Sequence, residues 1–432
     1  MSNANPPSAP LLQSGVLRCS PLWKRGARGD LLLAATLFLN TLTAFATESV
    51  LESDWHTSWN GTLYGYANST RLRSDSILNP DNQIARLAQR SNDIEARFNF
   101  KAESAALRLT ARPIVALRDA RNTFGREQQR EAYLSQWQLR MRASDNWNLA
   151  AGREVLNWGA AQFRSPSSPF YFDNGRNNPM RELSGVDVLK VSWTTDRQGS
   201  IHLARVLDSG HTSPQPDPWR NSWLVKYDQH GEEWATGLAA LKAPDRSVFF
   251  GAHGQFTVSD ALLAYAELSS ATQSNALNSP ADAALPFSVS AESARKTTGL
   301  IGAAYTFENG HTINAEYLHD SHGYTADEES AYFLRAASQP GMALGLSPRM
   351  LGRDYVHLVW QSNLMESNHY GRLMLTHSLT DGGNELAGYI ETSLNKRLSA
   401  FVLGVVNDGN AQQEFAALTA RSVTLGFKVA LL

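Results

Sequence analysis

The chain of 432 residues contains one cysteine, Cys19, and no later thiol. Beyond that position, disulfide frameworks, thiolate metal sites and cysteine nucleophiles are excluded. No run of about eighteen apolar residues follows residue 50, which excludes helical membrane spans there. Charge of one sign is not in excess. The formal net charge is −2, and no nucleic-acid partner is expected. The GxSxG, HExxH and EF-hand patterns are missing. His253, Glu267 and Ser269 read as lumen or surface groups rather than a triad. His311, His319 and His322 read as scattered imidazoles rather than a metal site. No catalytic residue, metal ion or cofactor is expected, and no segment carries a sustained helical stripe.

What is present begins with an export leader. Arg18, Lys24, Arg25 and Arg28 precede the apolar core Leu31–Ala46, which ends in Ala44-Phe45-Ala46. A basic region, a short apolar core and a small-x-small ending define a cleaved signal peptide, expected over residues 1–46. Val16-Leu17-Arg18-Cys19 is no lipobox, because Arg18 stands where a small residue is needed. Removing the four cations together with Asp30 takes the net charge from −2 to −5.

From residue 47 to 432 the dominant signal is period two. Ile94, Ala96, Phe98, Phe100 and Ala102 alternate with Glu95, Arg97, Asn99, Lys101 and Glu103. Leu107, Leu109 and Ala111 alternate with Arg108, Thr110 and Arg112. Trp137, Leu139, Met141 and Ala143 alternate with Gln136, Gln138, Arg140 and Arg142. Such segments are strands with one apolar and one polar face. Eight short turns separate them, at Ser104, Asp145-Asn146, 196–199, His230-Gly231, Ser259-Asp260, 308–310, Ser367-Asn368 and Asn395-Lys396. They alternate with nine longer stretches: 71–90, 119–131, 159–184, 209–219, 243–246, 272–295, 321–352, 380–384 and 408–418. Aromatics gather near strand ends, at Trp59, Tyr64, Tyr66, Trp147, Trp158, Trp193, Trp223, Tyr227, Trp234, Phe307 and Phe427. Together these features predict a closed antiparallel transmembrane β-barrel of about eighteen strands, sixteen being the alternative count, with short periplasmic turns and long extracellular loops.

In this pattern the chain resembles Gram-negative outer-membrane porins. The resemblance covers the exported part and rests on plan more than motif. The ending SVTLGFKVALL looks like the last strand read by the barrel-assembly machinery, although such strands commonly end in an aromatic and this one ends in Leu431-Leu432. The segment Gly152-Arg153-Glu154-Val155-Leu156-Asn157-Trp158-Gly159 is similar to a GR…WG segment of several porin-like families. The resemblance implies residence in the bacterial outer membrane, contact with its lipid and lipopolysaccharide, and passive diffusion of small hydrophilic solutes. It leaves the oligomeric state open. The alternatives are an export conduit for an anionic polysaccharide, an outer-membrane lipid hydrolase and an adhesin.

If the apolar faces meet lipid, the other faces line the lumen. Arg97, Lys101, Arg108, Arg112, Arg140 and Arg142 then form a basic strip on three adjacent strands, which predicts a preference for anions, carboxylates above all. Stretch 159–184 is the third outer loop, and the resemblance implies that it folds inward. Pro166, Pro169 and Pro179 stiffen it. Phe163, Phe170, Tyr171 and Phe172 are expected to pack against the wall, and Arg164, Asp173, Arg176, Arg181 and Glu182 to face solutes or dock on wall charges. With Tyr171 these form the expected constriction. Two irregularities are anticipated: Pro113 marks a bulge or the strand's exit from the membrane, and a bulge at Gly152 turns Arg153 inward, failing which Arg153 lies at the outer interface.

Overall fold

The computed structural model describes residues 55–431, apart from 196–197, 209, 211–218, 245, 273, 293 and 364–366. The expected leader 1–46, with Cys19, lies outside the described residues, as do most of stretch 209–219 and part of the 196–199 turn.

Eighteen strands close into one antiparallel sheet. In chain order they begin with β1 (His56–Leu72), β2 (Arg90–Glu103), β3 (Leu107–Asn122), β4 (Gly125–Arg142), β5 (Trp147–Glu154) and β6 (Val186–Thr194). There follow β7 (Gly199–Asp208), β8 (Ser222–His230), β9 (Trp234–Lys242), β10 (Phe249–Ser259) and β11 (Leu262–Ala271). A separate hairpin, β12 (Ser274–Asn278) with β13 (Ser288–Glu292), stands in the 272–295 loop. The sheet resumes with β14 (Lys296–Thr306), β15 (Thr312–Asp320), β16 (Asp354–Gln361), β17 (His369–Ser378), β18 (Asn384–Ser393), β19 (Leu398–Asp408) and β20 (Thr419–Ala430). β1 closes on β20, with Tyr64 opposite Lys428. Closure satisfies every strand edge, as a lipid environment demands of spanning β-structure.

Parity along the strands sorts the side chains. Ile94, Leu117, Leu238, Ile301, Ile390 and Leu425 are exposed on the outer face, while Glu267, Glu316, His357 and Tyr389 are buried inside. Each large apolar side chain on that belt gains about 1.5–3 kcal/mol when removed from water, so the exterior is suited to lipid. The six short turns that lie wholly among the described residues fall where the sequence places them. At one of them Gly310 has φ +75°, and a Cβ there would stand 2.2 Å from the Asn363 side chain.

Several local expectations are corrected. Stretch 119–131 is not a loop: β3 and β4 run on to Asn122 and Gly125, with Arg121 opposite Arg126. Residues 126–131, Arg-Glu-Gln-Gln-Arg-Glu, lack an apolar face and so read as loop, yet ladder pairing needs none. Pro113 sits at a register shift within β3, the bulge alternative. No register shift accompanies Gly152: β4 and β5 pair without interruption through Trp137 opposite Arg153. Arg153 therefore keeps outward parity, and its guanidinium takes Asp187 of β6 in two hydrogen bonds of 2.9 and 3.0 Å. Tyr64 and Tyr66 face inward, where they pack beside Met180, rather than joining the outer girdle.

The sequence also conceals helix. Ala326–Ala336 is α-helical, capped by Thr325 and Glu328 in a reciprocal box, and a second helix spans Pro340–Leu346. Tyr332 and Phe333 join Leu78, Leu87, Leu277, Leu351 and Leu418 in an extracellular cap built from four outer stretches. A helix this short, ADEESAYFLRA, has too few turns for its apolar stripe to stand out.

Candidate functional site

Segment 155–185 leaves β5 and meets inward-facing side chains around most of the wall. Leu156, Phe170 and Tyr171 pack with Val188, Val206, Leu224 and Leu241 of β6 to β9. Ala161, Phe163 and Phe172 join Tyr265, Leu300, Leu318 and Tyr355 on β11 and β14 to β16. The Phe163 ring stacks on His357, with centroids 4.9 Å apart. Met180 settles among Tyr389, Phe401 and Leu403 of β18 and β19, and its carbonyl accepts from Arg97 of β2 at 2.7 Å. Glu182 then meets Arg112 of β3 at 3.1 Å and Gln136 of β4 at 3.4 Å before the chain enters β6.

Two wall carboxylates hold the segment. Glu267 of β11 accepts from the Ala161 N–H at 2.9 Å, the Ser165 hydroxyl at 2.7 Å, and the Ser167 hydroxyl and N–H at 2.6 and 3.3 Å. Glu316 of β15 accepts from the N–H groups of Gln162 and Phe163 at 2.5 and 2.8 Å, and from the Tyr265 hydroxyl at 2.5 Å. Irregular backbone inside a barrel needs partners for its N–H groups, and these carboxylates supply them. Gly159 makes the approach feasible: its φ is +86°, and a Cβ would lie 2.1 Å from Glu267 Oε1. Within the segment, Arg176 donates to the carbonyls of Ala161 and Gly159 at 2.6 and 3.0 Å, and the Trp158 indole donates to the Ser167 carbonyl at 2.9 Å.

No family model and no curated protein matches the sequence. Solved structures do match by shape. Pseudomonas aeruginosa OccK7 (OpdD) is 10% identical at a TM-score of 0.53, with 87% of this chain and 98% of that one covered. Pseudomonas aeruginosa OccK11 (OpdR) is 10% identical at 0.52, with coverages of 87% and 96%. A triple mutant of the Rhodopseudomonas blastica porin also matches, at 11% identity, a TM-score of 0.43 and coverages of 87% and 100%.

This is the fold of an outer-membrane porin. A porin-like barrel with this apolar exterior belongs in the bacterial outer membrane.

Its inner charges are grouped differently from a free basic strip. Arg97 lies 2.6 Å from Glu95 and 3.5 Å from Glu182, with its guanidinium 4.3 Å above the Tyr64 ring. Arg112 shares Glu182. Lys101 and Arg108 share Glu103 at 2.6 and 3.0 Å. Arg142 is an exposed rim residue beside Asp145 at 2.9 Å. Arg140 stands opposite Arg108 and meets no carboxylate among the described residues. The strip is brought together, but most of its charge is matched locally.

In the segment, Asp173 is bonded by Arg181 and lies 3.8 Å from Arg164. Burial alone would raise its carboxyl, but Arg164 and Arg181, with the Gly175 N–H, outweigh that and hold it below the usual range. Arg164 also covers the Phe163 ring at 4.6 Å. Tyr171 is buried and gives its hydroxyl to the Ser184 carbonyl, so it braces the segment instead of facing solutes.

Sequence reasoning assigned no role to Glu267, Glu316 or Ser165 as fasteners. A signal existed. In AYAEL and INAEYL a single carboxylate stands among mostly small or apolar neighbours, an expensive placement unless donors arrive from elsewhere. Nothing in the sequence says which donors.

Proposed function

We propose that the barrel is a passive channel for small hydrophilic solutes, that it favours anions and carboxylates foremost, and that segment 155–185 is its constriction. The observation that carries this reading is a pair of guanidiniums, one within the segment and one on the wall against it, without carboxylates of their own. Arg176 donates to backbone carbonyls, and Arg372 of β17 donates to the Gln162 side chain at 3.3 Å. Neither has an ion pair among the described residues. Arg164 stands near them at the edge of contact with Asp173. Unbalanced guanidiniums at a narrow place raise the local concentration of anions and offer paired donors to a carboxylate.

We propose no enzymatic step. Glu267 is engaged by Ala161, Ser165 and Ser167 of the segment, which removes it from any triad with His253 and Ser269.

The test is the reversal potential in planar bilayers under a potassium chloride gradient, together with liposome swelling in small carboxylates and neutral sugars. Anion preference is expected, and it should fall in Arg176→Ala and Arg372→Ala. Cation preference in the unsubstituted protein would overturn the reading.

A further inference from the structure

Three acids meet in the extracellular cap. Glu329 lies in the first turn of the Ala326–Ala336 helix, Asp381 in the turn between β17 and β18, and Glu414 in the 408–418 stretch. Glu329 stands against the Asp381 carboxyl, with Glu414 close to both. Asp381 is fixed by its own surroundings: Oδ1 accepts from the Gly383 N–H at 2.8 Å and Oδ2 from the Glu414 N–H at 2.6 Å. The Tyr355 hydroxyl donates to Glu414. None of the three carboxyls has an ion pair among the described residues. Arg353 reaches the same turn of the helix but is taken by Glu328 at 3.1 Å. Arg335, further along the helix, is spent on the carbonyls of Leu285 and Pro280 at 2.5 Å each.

Glu329 is 2% exposed, yet neither of its oxygens meets a hydrogen-bond donor among the described residues. Tyr332 is fully buried, and its hydroxyl has no partner there either. Residues three apart share a helix face, so both unmatched groups lie on the side of the helix that meets Asp381. Buried polar groups are nearly always matched, and a buried carboxylate set against a second one is costly. Two things relieve it: a shared proton or a cation. The first is lost as pH rises; the second is not.

We propose that this cluster binds a divalent cation, Ca²⁺ foremost, which ties the Ala326–Ala336 helix to the 380–384 and 408–418 loops. Glu329 and Asp381 supply the charged oxygens. Glu414 and the Tyr332 hydroxyl add oxygens from either side, and water supplies the rest. Every donor is an oxygen, which selects a hard cation. No three acidic, histidine or cysteine side chains are already drawn together at metal distance among the described residues. The ion therefore closes the cluster rather than entering a finished cage, and that suits the flexible coordination of Ca²⁺ better than the strict octahedron of Mg²⁺. The proposal rests on the cap alone and is independent of the channel reading.

The experiment follows amide exchange of the Ala326–Ala336 helix in the detergent-purified barrel, with calcium chloride or with a chelator. At about 1 mM calcium, roughly ten times the dissociation constant of a tight extracellular calcium module, exchange at about pH 8 should slow about tenfold relative to chelator. At about pH 5 protons compete for the same oxygens, and the difference should shrink below about twofold. Glu329→Gln removes one charge and brings its own N–H donors, so its helix should stay protected in chelator and lose the calcium response. Asp327→Asn, at an exposed position of the same helical turn, should keep the response. Heat-dependent gel mobility verifies that both variants are folded barrels. No calcium-dependent slowing at about pH 8, or equal slowing in the folded Glu329→Gln variant, would overturn the proposal.

Discussion

Glu267→Ala tests how segment 155–185 is held. The carboxylate accepts four hydrogen bonds from Ala161, Ser165 and Ser167. A hydrogen bond to a charged acceptor contributes about 1.5–3 kcal/mol, and a buried donor left unmatched costs about 1–3 kcal/mol more. If water takes over half of the four, a net loss of about 3–6 kcal/mol remains. That is at least about a hundredfold in the ratio of docked to undocked segment. Glu316 and the Phe163–His357 stack still act, so the expected result is intermittent release rather than an empty lumen. Single-channel recordings should show higher mean conductance and more open-state noise than the unsubstituted protein. A cysteine introduced as Gln162→Cys should react faster with an impermeant thiol reagent in the Glu267→Ala background. Heat-dependent gel mobility should show the barrel intact. Matching conductance and labelling rates in the two backgrounds would refute the reasoning, because the carboxylate would then not be what holds the segment.

Gly159→Ala should act in the same direction more mildly, costing about 1–3 kcal/mol for a left-handed backbone and displacing Glu267; unaltered channel noise would count against it. Glu182→Gln removes the negative charge shared by Arg97 and Arg112, so the reversal potential should move further toward the anion limit; no movement would place those arginines away from the solute path. The extracellular cap should respond to pH. Burial, together with Asp381 and Glu414 beside it, pushes Glu329 up to about 10, and burial, with Asp381, raises Glu414 to about 7. Both exceed the ordinary carboxyl value of 4.5, so the folded cap holds these protons more tightly than the unfolded chain. Its stability is complete below about pH 4.5 and declines as pH rises, through about 7 for Glu414 and toward about 10 for Glu329. Amide exchange of the Ala326–Ala336 helix should therefore accelerate between pH 5 and pH 9 beyond the chemical rate, and Glu329→Gln should remove about 1–3 kcal/mol of that loss; a pH-independent protection factor would refute it.

The barrel was legible because lipid and lumen impose opposite demands on alternate residues. Ile94 to Glu103 states this outright, and the turns at Asp145-Asn146 and Asn395-Lys396 state where pairing reverses. β1 was harder: Trp59 is outward, but Tyr64 and Tyr66 are inward among Gly, Ser and Asn, where alternation is faint. Periodicity is a local property, and where it is strong the sequence by itself determined strand direction and the face of each side chain, with the strand number left between sixteen and eighteen. What only the tertiary structure decided is which inward groups meet. Glu267 and Ser165 are about a hundred residues apart, as are Arg372 and Gln162 at twice that separation. Their encounter depends on closure of the sheet and on the path of one irregular segment through the space it encloses. The same closure turned a basic strip into a set of locally matched pairs and set the unmatched cations elsewhere, at Arg176 and Arg372. Charge balance is a sum over neighbours in space, and a sequence lists only neighbours along the chain.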